Sequence, residues 1–486
     1  MQTVLPIALI VINLVVAYPS ATWLLSRSGG RNGLGLRLAL TIGLSAGGLS
    51  QVMLWESLLG IPFDVALITI SYFVIMLPGL LWWARQKQNY VQDKVEERDG
   101  RISRLALFII VTVALAIFFN AVYWPFYQSD ALGIYAAQAS YLKTSRALIP
   151  LRYDNFSYYQ AYPMLVQLNY AYVYLASGWE NGYVAKVIPT LLSLACLPAT
   201  FTLGTELYRR RVGWLAAVLL ALTPAFARWG SSGYVDLPMA LYYTLGVVFG
   251  WRLYKEKRDV DAALMGLMMG LAAWTKNAGL VSIVLMLGWL AFLLLTKQIG
   301  FKATWSAVVI CGLIAAPWYI RNWVEAHLIM PDTAWTEQAG RTIGNLLVFI
   351  MKSENFGVNG WFITGGVPVA LYEITIRRRA AMREILITFF SIPFFGLWWF
   401  LVSYDPRFLL LFLPILTIVG ANLGVTIWNR SGSTHRRWVM LLVTCGAVVL
   451  MLLTVWNSIG FKDDILRHPL MDDAAKQAIV AAQRGG

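Results

Sequence analysis

Of the 486 residues, 58% are hydrophobic and only 13% charged, and apolar runs of about 18 residues recur from end to end, a pattern that a bilayer requires and a soluble core does not use. The formal charge of +14 gathers in short loops between those runs, which is what the positive-inside bias produces. It reads as topology plus attraction to anionic membrane lipid, and gives no reason to expect a nucleic-acid partner.

The first apolar run has no basic segment before it and no small-residue cleavage site after it, so it reads as a retained span and not as a signal peptide. Spans are expected at 4–25, 36–59, 65–84 and 105–123. Arg27, Arg31 and Arg37 lie between the first two, and Arg85, Lys87, Lys94, Arg98, Arg101 and Arg104 between the third and fourth. Both basic loops then face the cytoplasm, and the fourth span delivers Tyr123-Trp-Pro-Phe-Tyr-Gln-Ser-Asp130 to the exterior.

The exterior loop after it runs from 124 to about 183. Leu132, Tyr135, Ala136, Ala139 and Leu142 make one apolar face of a helix over 130–143, which Ser129 can cap and whose first turn holds Asp130 at the positive end of the helix dipole. The apolar stretch 163–176 would, as a span, put Arg209-Arg210-Arg211 outside. It is therefore expected as part of a second interfacial helix over 159–176, with Tyr170, Tyr172 and Tyr174 at headgroup level.

Further spans are expected at 184–207, 212–229, 235–254, 262–274, 279–296, 303–319, 361–376, 385–402, 408–428 and 439–458, giving about fourteen in all. The fold class is an all-α polytopic bundle. Arg209-Arg210-Arg211, Lys255 to Arg258, Lys297 with Lys302, Arg377-Arg378-Arg379 and Arg436-Arg437 all fall on the cytoplasmic side.

The exterior connections hold a short inventory of charge. It includes Asp130 and Arg146 in the first loop, Asp236 at the start of a span, Lys276 between two short spans, Arg321 after Pro317-Trp-Tyr319, and Arg407 in Tyr404-Asp-Pro-Arg407. Charges at such depths are costly unless paired or used. Asp236 reads equally well as a helix N-cap with Pro238 in the first turn, and Arg321 and Arg407 equally well as interface anchors. Lys276 reads either as a lysine snorkelling outward or, slightly better, as a phosphate contact. Cys196, Cys311 and Cys445 stand singly in apolar runs, and His327, His435 and His468 do not cluster, so no metal site or disulfide framework is indicated. The chain has no phosphate-binding G-x-x-x-x-G-K-[S/T] loop and no G-x-G-x-x-G after a strand, so a sugar or phosphate donor must arrive in the membrane.

Taken together, the segment ending at Asp130, the run Ala185-Lys-Val-Ile-Pro-Thr-Leu-Leu192 through Glu206-Leu-Tyr-Arg-Arg-Arg-Val-Gly213, Gly233-Tyr-Val-Asp-Leu-Pro238, Gly270-Leu-Ala-Ala-Trp-Thr-Lys276, Pro317-Trp-Tyr319 and Arg407-Phe-Leu-Leu-Leu-Phe-Leu-Pro414 carry a resemblance. In order and shared side of the membrane they resemble the GT-C superfamily of lipid-linked-sugar glycosyltransferases, in the branch of the aminoarabinose transferases and protein O-mannosyltransferases. The resemblance covers roughly 105–430, leaving 1–104 as additional N-terminal helices with a cytoplasmic loop and 431–486 as a last span with an extracytoplasmic tail. It implies a catalytic carboxylate at Asp130, a second acid at Asp236 near the donor sugar or a metal, and phosphate contacts from Lys276, Arg321 and Arg407. Many relatives carry paired acids where Gln128-Ser129-Asp130 offers one, which leaves a divalent-metal cofactor open.

Transfer from a polyprenyl-phosphate sugar to a glycan, lipid or protein hydroxyl needs a base, positive charge on the departing phosphate and in-line geometry, and it would invert the anomeric centre. Asp130 can supply the first and Lys276, Arg321 and Arg407 the second. Tyr135 and Tyr234 read equally well as rings that stack on sugar faces and as interfacial anchors, and Arg146 and Tyr404 are further candidate substrate contacts. The expected location is the plasma or inner membrane with the site outside. The competing readings are a lipid-linked glycan transporter or flippase, which would place its charges nearer the midplane, and an outer-leaflet glycan polymerase or ligase.

Overall fold

The computed structural model describes residues 3–30, 32–86, 102–151, 158–329, 342–376, 381–397, 399, 406–430 and 436–482. Its regular elements among these residues are all helical. In chain order they begin with α1 (Val4–Arg27), α2 (Leu34–Leu58), α3 (Val65–Arg85) and α4 (Ile102–Tyr123). A π-helical turn (Ala131–Ala136) then runs into α5 (Ala137–Ser145), and the chain goes on through α6 (Leu165–Ser177) and α7 (Gly182–Ala185). The bundle continues with α8 (Val187–Leu207), α9 (Arg210–Ala221), α10 (Pro224–Gly230), α11 (Asp236–Glu256), α12 (Asp259–Thr275), α13 (Leu280–Leu295) and α14 (Phe301–Ala326). It ends with α15 (Ile343–Met351), α16 (Gly357–Thr375), α17 (Met382–Leu397), α18 (Pro406–Leu409), α19 (Leu413–Arg430), α20 (Arg436–Ser458), α21 (Lys462–Arg467) and α22 (Asp473–Ala482).

Among the described residues each expected span lies mostly on helix, although 410–412 in the span expected at 408–428 form a turn, and eight helices are long and apolar enough to cross a membrane alone. One expected span, 212–229, is broken: α9 and α10 meet at 66°. Pro224 has no N–H to continue the ladder and disfavours helical geometry at Thr223, so the chain turns there and delivers Trp229 and the loop to Asp236 from a new direction. Elsewhere close packing relies on small residues. A Cβ on Gly266 would lie 2.2 Å from the Ala307 carbonyl oxygen, so α12 and α14 touch backbone to backbone.

Contacts between the connections fall at the two ends of the bundle. At one end, Arg252 pairs with Glu206 at 2.6 Å, Ser28 bonds to Asp261, the Arg258 guanidinium donates to the carbonyls of Arg27 and Ser28, and Lys302 meets Asp259. These all belong to connections expected in the cytoplasm. At the other end, Leu148 N–H donates to Ser57, Phe63 N–H to the Arg146 carbonyl, and Leu151 N–H to Glu325. These join connections expected outside. The basic segments at 87–101 and 377–379 lie outside the described residues.

The helices of the first exterior loop are present, but α6 is no surface helix. Its side chains from Leu165 to Tyr174 are all buried, and it packs against α1, α2, α5 and α12. A helix apolar all round is stable only when surrounded. Its tyrosines reach protein partners: Tyr170 donates to the Gly233 carbonyl at 2.7 Å, and the Tyr172 and Thr69 hydroxyls bond at 2.8 Å. This buried helix is the platform on which the loop bearing Asp130 rests.

Candidate functional site

Four elements converge at one end of the bundle: the π-helical turn after α4, the turn from α10 into α11, the junction of α12 with α13, and α18. Asp130 stands at the start of the π-helical turn, and Ser129 does not cap it; the hydroxyl instead lies 3.4 Å from Asp130 Oδ1. Local π geometry is uncommon and recurs at functional sites. The Asp130 carboxylate accepts from Arg407 Nη1 at 2.6 Å, and its backbone N–H donates to the Tyr234 hydroxyl at 3.2 Å.

Tyr234 is delivered by Gly233, whose φ of +82° lies in the left-handed region and where a Cβ would sit 2.6 Å from Phe126. The Arg407 guanidinium is enclosed by rings, with its carbon 4.9 Å from the centroid of Tyr234, 5.1 Å from Phe408 and 5.7 Å from Trp229. Phe408 joins this group to a second ion pair. On the same ring, at 4.1 Å, lies Lys276 Nζ, which donates to Asp236 Oδ1 at 2.5 Å.

Asp236 is 1% exposed and makes no side-chain cap for α11, so the capping role that sequence allowed is not the one it takes. Its Oδ2 has no hydrogen-bond partner among the described residues. Tyr135 packs its ring edge-on to Tyr234 at 5.9 Å. Burial pushes its phenol well above the ordinary value, with the Asp236 charge adding to the rise, Arg407 opposing it and Asp130 and Tyr162 adding a little more. One side chain thus feels both acids and the guanidinium. Burial also raises Tyr234, against the Ser129 hydroxyl, which lowers it.

Asp130, Asp236, Lys276, Arg407, Tyr135 and Tyr234 therefore share one cluster. Arg321 is engaged elsewhere, donating to the Ile149 carbonyl and pairing with Glu325 at 2.9 Å, on the edge of a 650 Å³ groove that Trp55 and Leu313 line with other apolar side chains. None of its described contacts reaches Asp130 or Arg407. Arg146 is exposed and serves as the left-handed C-cap of α5, with φ of 52°. Tyr404 lies outside the described residues.

Sequence reading missed Lys186, Trp229 and Phe408. Lys186 is fully buried and donates to the carbonyls of Trp124 at 2.6 Å and Pro125 at 3.1 Å, holding the turn that leads to Asp130. A lysine at a span end is the one signal that marked it.

As for a divalent ion, no three of His, Cys, Asp and Glu gather among the described residues, and Asp130 and Asp236 each already face a cation. This donor set does not suit such an ion.

A family model for dolichyl-phosphate-mannose-protein mannosyltransferase matches residues 101–328. The fold is similar to ArnT from Cupriavidus metallidurans in the apo state, at a TM-score of 0.52 and 18% identity over 77% of this chain and 68% of that one. The same protein bound to undecaprenyl phosphate gives a TM-score of 0.51 at 18% identity over 73% of each chain. The Archaeoglobus fulgidus oligosaccharyltransferase, in complex with zinc and sulfate, gives a TM-score of 0.52 at 14% identity over 74% of this chain and 53% of that one. A Haemophilus influenzae protein designated a metabolite transport protein is 25% identical over 157 residues, 30% of this chain and 34% of its own length, so the match spans about a third of that relative. The helical fold is similar to that of these transferases, and the family model covers a little under half of the chain.

Proposed function

We propose that this protein is a membrane glycosyltransferase that moves a sugar from a polyprenyl-phosphate donor to an acceptor hydroxyl on the extracytoplasmic face, with inversion. The observation that carries the reading is that Asp130 pairs with Arg407 and that Arg407 shares the ring of Phe408 with a second cation, Lys276. The undecaprenyl phosphate held by the Cupriavidus protein of similar fold supports a lipid-linked donor. Residues 105–430 would form the catalytic module, with 1–104 and 431–486 as additions.

In this reading Asp130 takes the proton of the acceptor O–H. The freed oxygen electron pair attacks the anomeric carbon as the bond to the phosphate oxygen breaks, and the departing pair stays on the phosphate. Arg407 and Lys276 stabilise that developing charge from fixed positions, at no reorganisation cost in the step itself. Phe408, Trp229 and Tyr234 exclude water around the guanidinium and so strengthen its field. Asp236 holds Lys276 in place and keeps one oxygen for a donor-sugar hydroxyl. The apolar groove beside Arg321 would take the lipid chain of the donor.

The test is turnover. Purified protein in detergent, given undecaprenyl-phosphate sugars and extracted envelope glycans, should release undecaprenyl phosphate. The partial likeness to a metabolite transport protein favours a transporter as the second reading. A transporter would move the lipid-linked sugar between leaflets and release no undecaprenyl phosphate.

A further inference from the structure

The tail after α20 does not trail away from the bundle. Gly460 is bound from both sides: its N–H donates to Asn120 Oδ1 at 2.8 Å, and its carbonyl accepts from the Trp124 indole at 2.9 Å. Phe461 packs on Trp124 at 4.6 Å and on Tyr127 at 5.1 Å, its ring nearly perpendicular to the latter. Farther along, the Pro469 carbonyl accepts from Tyr123, Asp473 bonds to Tyr183, and Lys476 Nζ lies 4.0 Å over the Tyr123 ring. Between tail and loop is a cavity of about 370 Å³. Its walls include Tyr127 and Gln128 from the segment just before Asp130, Arg228 from α10, Asn457 and Phe461 from the tail, and Val480 from α22.

We propose that this cavity is the acceptor subsite and that it takes a saccharide, so that the acceptor is a glycan. The inference rests on the transfer reading above and names the substrate class for it. Amides such as Gln128 and Asn457 both donate and accept, which matches the dual character of sugar hydroxyls. The perpendicular rings of Tyr127 and Phe461 offer an apolar corner to a sugar face. A half-open cavity of this size, within the range of small-ligand pockets, suits one or two sugar rings. An extended peptide would need an open sheet edge or a long groove, and an acyl chain an apolar wall. The two cations proposed for the donor phosphate do not line the chamber, while Gln128 stands two residues from Asp130. An acceptor held here would lie beside the segment that carries the base.

The full-length protein in nanodiscs, probed with a panel of methyl hexosides and pentosides by saturation-transfer NMR and separately with undecaprenyl phosphate by ligand-observed fluorescence, tests this. At least one glycoside should bind, and Asn457→Trp, which fills the chamber from an exposed position, should weaken that binding tenfold or more with undecaprenyl phosphate affinity unchanged within twofold. Arg228→Ala, also at an exposed position, should weaken glycoside binding severalfold. If undecaprenyl phosphate binds but no glycoside does, or if glycoside binding survives both substitutions, the acceptor subsite is wrong while the transfer reading stands. A serine-rich peptide that binds in place of the glycosides would likewise overturn it. Glycoside binding with no undecaprenyl phosphate binding would overturn the acceptor role together with the proposed function.

Discussion

Arg407 Nη1 and Asp130 Oδ2 lie 2.6 Å apart although 277 residues separate them in the chain. The pair joins the first exterior loop to the last helical turn before α19, so the bundle must close before the site exists. Asp130→Asn keeps the shape and removes the base. Its transfer rate should fall at least about a hundredfold, the scale of general-base catalysis, with undecaprenyl phosphate binding retained. Full activity in that variant, followed by release of undecaprenyl phosphate, would remove Asp130 from the mechanism.

The second ion pair is buried, and its two members should respond differently together and apart. Lys276→Met leaves the Asp236 carboxylate without its cation at 1% exposure, and should cost about 3–5 kcal/mol of stability together with donor binding. Asp236→Asn combined with Lys276→Met removes both charges and should recover most of that stability, measured by thermal unfolding in detergent. Donor binding should stay lost in the double variant. Recovery of both properties would show that the pair is only structural.

The Tyr135 phenol is held well above its ordinary value of 10.0, first by burial and then by the Asp236 charge. A raised folded value favours the protonated phenol in the native state. That contribution is fully present below the unfolded value and is lost as pH climbs toward the folded one. Tyr135→Phe should therefore make stability fall less steeply above pH 10, by up to about 1.4 kcal/mol per pH unit, and leave the slope between pH 6 and 9 unchanged. Equal slopes above pH 10 would show that the phenol ionises as freely in the folded protein as in the unfolded one.

The spans were legible because a bilayer imposes length and hydropathy on each segment alone, and the side shared by Asp130, Asp236, Lys276 and Arg407 followed from counting basic loops. What escaped was tertiary. The burial of α6 depends on Tyr170 finding Gly233 and Tyr172 finding Thr69, partners that no local pattern marks. Arg321 reads like Arg407 in sequence, each at a span end, yet Glu325 one turn later and the Ile149 carbonyl occupy it. The tail after α20 is short and polar and carries no hydropathy signal, so its seat on Trp124 shows only once the chain is folded.

Lys186 is buried with no carboxylate within salt-bridge reach among the described residues, and its ammonium is held by the Trp124 and Pro125 carbonyls and lies 5.8 Å from the rings of Phe126 and Tyr127. A charge so placed is costly unless it fixes something, and what it fixes is the turn five residues before Asp130. Lys186→Met should strand both carbonyl oxygens, at about 1–3 kcal/mol each, and let the turn drift. Because a displacement near 1 Å can cost about a hundredfold in rate, kcat should fall by about that factor. The donor KM should hold, since Lys276 and Arg407 are untouched. Lys186→Gln, which keeps one donor for the carbonyls, should recover part of kcat. If instead KM rises at constant kcat, or if Gln behaves as Met does, the lysine is not positioning the base.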